Sequence, residues 1–354
     1  MEDTGRRFDS AKIAAYCMAI LEKVGVPADH ANMVATSLLA ANLRGVDTHG
    51  VTRLPVYVER LRAGLMDPKA SGRVVSEGPA SLVYDGENGM GMVVGTKAMH
   101  LCLDKAEKSG VAFTTVRNSN HFGTAGYYAA MALQRDMIGF SITNSPSVMA
   151  PWGGKKGFLG TNPLAIAVPA GEERPFILDM ATSVIARGAV ILAAKRGDTI
   201  PPTWAMNADG EPTTDAKEAM NGAVLPLGGH KGFGLSMAID IMAGILGGGP
   251  FGPHIGELYG NSTTQQKVGH FFGAFKISQF RSVKEFKADM DAMIREVKAQ
   301  PLGKGFQEIM VAGDPEARVE ANRKANGIPL SDAVVGDLTK LGASLDLSFD
   351  KLVG

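Results

Sequence analysis

Helical patterns occur at both ends of the chain, and the part between them alternates short strands with helices; this arrangement most constrains the fold. Apolar residues recur at helical spacing within residues 8–44 and again within residues 283–299. Between these ends, runs rich in β-branched residues at 111–116 and 138–143 are typical of strands. We therefore predict a mixed α/β protein whose helical ends pack together.

The length bounds the number of domains. A chain of 354 residues allows two domains, since domains average about 150 residues. We expect residues 1–70 and 282–354 to form one discontinuous helical domain. The mixed α/β region would then span residues 71–281.

The charge balance argues against a nucleic-acid partner. Lysine plus arginine and aspartate plus glutamate each number 36, so the formal net charge is zero, and no basic stripe stands out. The longest apolar stretch, residues 235–246, is interrupted by Asp240 and Gly244. It is too short and too polar to span a membrane, and we expect no membrane partner.

The cysteines and the first residues bear on the compartment. Cys17 and Cys102 lie in apolar helical patterns, and we interpret them as core residues in a reducing environment. The first ten residues contain no apolar signal run. These observations predict a cytoplasmic protein.

A histidine and an arginine lie four residues apart in the segment DTHGVTR, residues 47–53. If a helix begins here, His49 and Arg53 share one of its faces. A guanidinium group suits a carboxylate, so the pair predicts a contact site for a small acid. The alternative is a histidine that caps the helix beside a surface arginine.

His121 lies in the polar loop NSNHFG, which follows the strand 111–116 and precedes a helical pattern at 127–134. Strand-to-helix loops often carry reactive groups in α/β proteins. An imidazole can accept or donate a proton near neutral pH, so His121 is a candidate acid–base group. The alternative is a histidine that only hydrogen-bonds the loop backbone.

The sequence GGHKGFG, residues 228–234, precedes the apolar helix pattern. Its backbone N–H groups and Lys231 resemble an anion-binding loop, although the Gly-Lys-Ser/Thr of a Walker loop is missing. The glycines would equally allow close packing of the following helix. The two interpretations are compatible.

A loose dinucleotide-binding pattern follows the predicted strand 81–85. Gly89, Gly91 and Gly95 lead into a helix, and Arg117 could meet a 2′-phosphate, but the spacing is imperfect. We also predict no metal site, because the seven histidines are scattered and no HExxH pair occurs.

Several motifs occur in order along nearly the whole chain and resemble those of the type-2 malate/L-lactate dehydrogenase family. This family is distinct from the Rossmann-fold lactate and malate dehydrogenases, and it includes ureidoglycolate dehydrogenase, diketogulonate reductase, sulfolactate dehydrogenase and piperideine-carboxylate reductase. The motifs lie at residues 47–55, 119–126, 160–163, 179–183, 226–235 and 313–316.

The resemblance implies a fold that the residue pattern does not. The nicotinamide-binding domain would have a largely antiparallel, non-Rossmann sheet, and the chain ends would form a separate helical domain of a homodimer. The region 71–281 would carry the cofactor-binding and the substrate or dimerisation parts. The glycines at 89 and 91 would then form a structural turn.

The resemblance also implies roles for site residues. His121 would be the proton donor or acceptor and His49 and Arg53 substrate contacts, although in some relatives the histidine of the Thr-His-Gly motif is the proton donor. The chain has Ala312 and an aspartate at 314 where relatives often have proline and glutamate. The implied contacts of NAD or NADP are Ser145, Asp179, Met180, Ala181, His230, Lys231, Gly313, Asp314 and Pro315.

The resulting hypothesis is reversible hydride transfer between nicotinamide C4 and C2 of a small 2-hydroxy or 2-oxo acid, with histidine acid–base catalysis. Three alternatives remain at this point. They are reduction of a cyclic 2-imino acid, an acid–base enzyme without a nicotinamide, and a relative that binds a metabolite without turnover.

Overall fold

The structure, a computed structural model, describes residues 5–260 and 263–354, without the side chain of Lys195. Its helices are α1 Ser10–Lys23, α2 Ala28–Leu43, α3 Leu54–Arg62, α4 Gly91–Ser109, α5 Ala125–Met131, α6 Arg187–Arg196, α7 Ala216–Asn221, α8 His230–Ala243, α9 Val283–Lys298, α10 Asp314–Asn326, α11 Asp332–Ala343 and α12 Phe349–Leu352. Its strands are β1 Arg6–Phe8, β2 Arg73–Glu77, β3 Ser81–Asp85, β4 Val111–Ser119, β5 Met137–Thr143, β6 Leu164–Val168, β7 Phe176–Met180, β8 Ala205–Met206, β9 Ala223–Val224, β10 Val268–Lys276 and β11 Ile328–Leu330.

Short polar signals set several helix boundaries. The Asp9 side chain accepts a hydrogen bond of 2.9 Å from the Lys12 backbone and caps α1. Gly110, with φ of 84°, ends α4 in a conformation that a residue with a Cβ rarely adopts. The chain can therefore turn at once into β4.

A mixed sheet forms the centre of the molecule, in the strand order β2-β3-β4-β10-β5-β6-β7 among the described residues. Strands β3 and β4 are parallel and are joined by α4, whereas the other neighbours are antiparallel. The predicted largely antiparallel sheet is confirmed. Strand β10 separates β4 from β5, although it follows them by more than a hundred residues.

Successive side chains of β10 point to opposite faces of the sheet. Phe272 packs with Met99 of α4 and Tyr128 of α5 in one hydrophobic core. Phe271 packs with Ile239 of α8 on the other face. The sheet is thus covered on both faces, and the loops at its edges remain open for a site.

The two ends of the chain meet. Strand β1 pairs antiparallel with β11, with Phe8 opposite Ile328. One hydrophobic core joins residues of α1, α2 and α3 with residues of α11 and α12, including Tyr16, Tyr57 and Phe349. An edge-to-face aromatic contact stabilises this core, because the ring centres of Tyr16 and Phe349 lie 5.1 Å apart and the ring planes meet at 87°.

Helix α9 packs elsewhere, against the turn at 171–173. The carboxylate of Asp291 accepts backbone hydrogen bonds from all three residues of this turn at 2.9–3.0 Å. The division into 1–70 plus 282–354 and 71–281 stays a prediction. No helix within the described ranges is long and apolar enough to cross a membrane.

Candidate active site

The loop that carries His49 is held from two helices. The Asp47 carboxylate accepts hydrogen bonds from Asn42 of α2 at 2.6 Å and from Arg323 of α10 at 2.6 and 2.9 Å. The side-chain amide oxygen of Asn42 accepts from the Val51 backbone N–H at 2.8 Å. The chain is therefore fixed on both sides of His49, before it by the charge-assisted Asp47–Arg323 pair and after it by the neutral Asn42–Val51 hydrogen bond.

The path of the chain from His49 to Arg53 is not one helix, so the condition for a shared helix face is not met. Two short 3-10 turns, Asp47–His49 and Val51–Arg53, flank Gly50, and α3 begins at Leu54. A Cβ at Gly50 would lie 2.2 Å from the Asn42 side chain. The close clamp on this loop thus requires glycine and prevents a continuous helix.

His121 is fixed from the end of β4. Its backbone N–H donates to the Gln266 side chain at 3.0 Å. The preceding Asn120 is buried and donates to the Gly89 carbonyl at 2.9 Å. A Cβ at Gly91 would lie 2.4 Å from the His121 carbonyl oxygen. The glycines that suggested a dinucleotide loop instead let α4 approach the His121 loop closely.

The structure brings the two histidines together. The rings of His49 and His121 are stacked, with centroids 5.5 Å apart and planes at 18°. The Tyr57 hydroxyl lies 2.7 Å from Nδ1 of His121, and the Thr48 hydroxyl lies 3.0 Å from Nδ1 of His49. Neither Nε2 atom has a hydrogen-bond partner among the described residues. These nitrogens are the ones that a ligand can reach.

Burial makes both imidazoles weak bases. Burial, and then the charge of Arg53, lowers the pKa of His49 to about 4. Burial, followed by the charges of His49, Arg53 and His270, holds the pKa of His121 well below its ordinary value. Both rings are therefore neutral at pH 7 and can accept a proton at Nε2.

Arg53 lies at the start of α3, one helical turn before Tyr57. Its Nε donates to the Thr48 carbonyl at 2.5 Å. Its guanidinium carbon lies 5.1 Å from the centre of the Tyr259 ring. The terminal nitrogens retain donors for a carboxylate beside the two histidines.

A cavity of about 730 Å³ opens beside this cluster, within the range of about 300–1,000 Å³ typical of ligand sites. Its wall includes His49 together with Asp179, Met180 and Ala181. Three predicted cofactor residues thus lie on the same cavity as a predicted catalytic residue. The space and the mixed polar and apolar lining fit a nicotinamide cofactor.

Asp179 joins β7 to the first turn of α5. Its carboxylate accepts a hydrogen bond of 2.9 Å from the Gly126 backbone. Burial raises the pKa of this carboxyl to about 6, against the lowering effect of the Gly126 bond. A Cβ at Gly126 would lie 2.7 Å from the carboxylate oxygen, so this approach also requires glycine.

The segment 313–315 lies behind the same wall. The Ala312 carbonyl accepts from the backbone of Ile177, which lines the cavity. Gly313 lies against Ile177 and has φ of 99°. The carboxylate of Asp314 is buried and pairs with Lys298 at 2.9 Å. The Asp314 side chain therefore stabilises the segment, whereas Ala312 and Gly313 are the residues that contact Ile177.

The remaining predicted cofactor residues lie apart from the described cavity wall. Ser145 is close behind it, and its backbone N–H donates to Asn162 at 3.0 Å. His230 and Lys231 form the first turn of α8, where the His230 ring lies 6.1 Å from that of Trp152. The cavity brings together only part of the predicted set.

Four functional side chains were missed by the sequence analysis: Tyr57, Tyr259, Gln266 and His270. Tyr57 could have been found, because it lies four residues after Arg53 on a helix. The other three reach the site from distant loops and strands, and no local pattern identifies them. Among residues 5–260 and 263–354, no group of three or more histidine, cysteine or acidic side chains could hold a metal ion.

Comparison with known proteins places these features in a family. A sequence profile described as malate/L-lactate dehydrogenase matches residues 8–339. The malate dehydrogenase of Pyrococcus abyssi is 40% identical over 343 residues, which cover 95% of this chain and 94% of that protein. The L-sulfolactate dehydrogenase of Methanocaldococcus jannaschii is 39% identical, over 94% of this chain and 96% of that protein.

Solved structures agree with the sequence comparison. The malate dehydrogenase from Pyrococcus horikoshii OT3 superposes with a TM-score of 0.90 at 38% identity, covering 98% of this chain and 97% of that one. The delta1-piperideine-2-carboxylate reductase from Pseudomonas syringae gives 0.86 at 28% identity, covering 95% and 99%. The predicted family is confirmed: the chain belongs to the malate/L-lactate dehydrogenase family and is an NAD(P)-dependent dehydrogenase that acts on CH–OH groups.

Proposed function

We propose that the enzyme interconverts a small 2-hydroxy acid and its 2-oxo acid, of the malate, lactate or sulfolactate type. One observation carries the proposal: two stacked neutral histidines and an arginine meet beside a cavity of cofactor size. A carboxylate and a neighbouring carbonyl oxygen are the groups that such a cluster recognises. Bound NAD(P)H supplies the hydride in the reducing direction.

Arg53 binds the substrate carboxylate in this proposal. Its Nε is already used by the Thr48 carbonyl, so the paired terminal nitrogens face the acid. A bidentate guanidinium–carboxylate pair fixes both the position and the plane of the substrate. The carbonyl next to the carboxylate is thereby directed toward the histidines.

His121 moves the proton. With the Tyr57 oxygen accepting from Nδ1–H, Nε2 is the basic nitrogen. During oxidation the neutral ring takes the hydroxyl proton of the substrate at Nε2, and during reduction the protonated ring gives that proton to the forming alkoxide and returns to the neutral state. His49, stacked on the same ring and lining the cavity, contacts the substrate oxygen. His121 is assigned the transfer because both its backbone and its ring are anchored.

Asp179, Met180 and Ala181, which line the cavity, would hold the cofactor along this wall. The segment with Gly313, Asp314 and Pro315 supports this wall through the contacts of Ala312 and Gly313 with Ile177. The proposal adds Ser145, His230 and Lys231 as contacts at the far edge of the site. Because the Asp179 carboxylate accepts the hydrogen bond of the Gly126 backbone, it also orients the first turn of α5, which follows the His121 loop.

The test follows NADH and NADPH oxidation with a panel of 2-oxo acids. We expect His121→Ala to lower kcat by about 10²- to 10⁴-fold, and His49→Ala to act mainly on KM. His254→Ala, at an exposed histidine, is the matched control and keeps wild-type rates. Near-normal turnover of a folded His121→Ala protein would refute the assignment.

A second candidate reaction is reduction of a cyclic 2-imino acid. It is favoured by the superposition on the piperideine-carboxylate reductase, with a TM-score of 0.86. The same carboxylate clamp and proton donor serve an imine, whose nitrogen replaces the carbonyl oxygen. A cyclic imino acid in the substrate panel separates the two reactions by their kcat/KM values.

We also propose a homodimer. Met237, Ile241 and Ile245 form an apolar row that is 50%, 43% and 51% exposed, beside an apolar cavity of about 320 Å³. An exposed row of this kind typically marks a protein interface. Light scattering should give twice the chain mass, and Ile241→Glu should give the monomer. The proposed location is the cytoplasm, since the cysteines are free and buried.

A further inference from the structure

We propose that Tyr259 is a positioning residue for Arg53: its ring holds the guanidinium group in the orientation that receives the substrate carboxylate. The inference rests on the proposed carboxylate-binding role of Arg53. It adds a residue that comes from the other half of the chain. The substrate class is unchanged, namely a small acid with a carboxylate beside the reacting carbon.

The contact between the two side chains has the geometry of a cation–π interaction. The guanidinium carbon of Arg53 lies 5.1 Å from the centre of the Tyr259 ring, inside the limit of about 6 Å. Such a contact uses the face of the guanidinium plane. The hydrogen bond from Nε to the Thr48 carbonyl uses one edge. Another edge, with the terminal nitrogens, stays available for a carboxylate.

Tyr259 is carried by a connection between the 3-10 turn at 252–254 and β10, here called the strap and defined as residues 255–260 and 263–267. Arg60 of α3 anchors the strap. Its terminal nitrogens donate to the Glu257 carbonyl at 3.2 Å and the Thr264 carbonyl at 2.9 Å. The two parts of the strap, 255–260 and 263–267, are also hydrogen-bonded to each other, since the Gly256 N–H donates to the Gln266 carbonyl at 2.9 Å.

The strap is tied to the proton-transfer residue as well. The Gln266 side chain accepts the backbone hydrogen bond of His121 at 3.0 Å. Leu258, next to Tyr259, is buried in the core that contains Tyr57. The strap therefore carries Tyr259, whose ring packs on Arg53, and it also holds the backbone of His121. The position of the substrate carboxylate and that of the acid–base group are set by the same segment.

Tyr259 itself is 52% exposed, whereas the neighbouring Leu258 is buried. Half of its ring surface is thus in solvent, and the hydrophobic core does not require it. Replacing the ring should leave the strap in place, because Arg60, Gln266 and Leu258 still hold it. A functional effect can therefore be separated from misfolding.

The experiment compares Tyr259→Phe with Tyr259→Leu. The phenyl ring keeps the face that attracts a cation, and the leucine removes it. We expect Tyr259→Leu to raise KM for the 2-oxo acid by about two- to fivefold, with kcat and the NADH dissociation constant nearly unchanged. Tyr259→Phe should match the wild type. Phe280→Leu, at another exposed aromatic residue, is the matched control.

A double-mutant cycle distinguishes this role from a general effect of the strap. Binding of oxamate, a 2-oxo-acid analogue that is not reduced, is measured with the enzyme–NADH complex of the wild type, Arg53→Ala, Tyr259→Leu and the double variant. We expect the Tyr259→Leu loss to vanish in the Arg53→Ala background. Equal losses in both backgrounds, or a Tyr259→Leu variant that binds oxamate as the wild type does, would overturn the inference.

The two proposals fail in different ways. If oxamate binding depends on Arg53 but is indifferent to Tyr259, only the positioning role is wrong. If the wild-type complex binds no oxamate and reduces no 2-oxo or 2-imino acid, the proposed function fails, and the positioning role fails with it. A tenfold kcat loss in Tyr259→Leu at constant KM would show that the ring acts on the proton-transfer step instead.

Discussion

The central strand β10 contains a fully buried histidine whose replacement should change the acid sensitivity of the fold. The ring of His270 is hydrogen-bonded at both nitrogens, to the Ser119 and Thr143 hydroxyl groups at 2.8 Å each. It also stacks on Phe122, with ring centres 4.3 Å apart. Burial lowers its pKa to about 3. The titratable group coupled to it is His121, which remains in any His270 variant.

The pKa difference gives the size of the effect. An unfolded chain binds a proton at this histidine below its ordinary pKa of about 6.5, while the folded chain stays neutral until about pH 3. The unfolded state therefore binds more protons in this window, and stability falls as the pH falls. Between pH 7 and pH 5, His270 alone should remove about 2 kcal/mol from the free energy of unfolding.

Urea unfolding at pH 7 and pH 5, followed by the fluorescence of Trp152 and Trp204, measures this loss. His270→Gln should lose about 2 kcal/mol less than the wild type between the two pH values. Its stability at pH 7 is expected to be lower, because buried hydroxyl groups lose a partner, but this offset cancels in the comparison. His254→Gln should keep the wild-type pH dependence. An unchanged acid loss in His270→Gln would refute a neutral, buried His270.

Three further substitutions test the site. Tyr57→Phe removes the hydroxyl partner of His121 Nδ1. We expect kcat to fall roughly 10- to 100-fold and the pH–rate profile to shift to lower pH, because the protonated ring loses a hydrogen bond. Stopped-flow measurement of NADH oxidation tests both. Arg53→Lys keeps the charge but loses the planar fork, so initial rates should show KM raised about tenfold and kcat less affected; an unchanged KM contradicts the clamp. Gly91→Ala places a Cβ 2.2 Å from the Asn120 carbonyl and should lower both kcat and the melting temperature, at a cost of about 1–3 kcal/mol; a wild-type thermal scan would contradict it.

Local patterns predicted much of the sheet. The strand 81–85 coincides with β3, and the predicted strand 138–143 lies within β5, because hydrophobic runs between turn residues have few other stable conformations. The loop after β4 was correctly placed before a helix, which put His121 at a strand end.

The neighbours of these elements could not be predicted from local patterns. Nothing near β4 or β5 in sequence indicates that β10 lies between them, since that pairing depends on contacts across more than a hundred residues. The stacking of His49 on His121 also depends on the separate anchoring of two distant loops. The resemblance supplied the roles of these residues, and their anchoring came from Asn42, Arg323 and Gln266.

The clamp of Arg323 on Asp47 has a consequence for the order in which the enzyme matures. These residues are 276 positions apart, and β1 pairs with a strand that follows Arg323 directly. A nascent chain on the ribosome can form α1 to α3 early, but the His49 loop lacks its charged anchor until α10 emerges. The loop with the proposed substrate contact His49 therefore obtains this anchor only after the sheet region has been made. A prematurely terminated chain would present the histidine loop without its clamp.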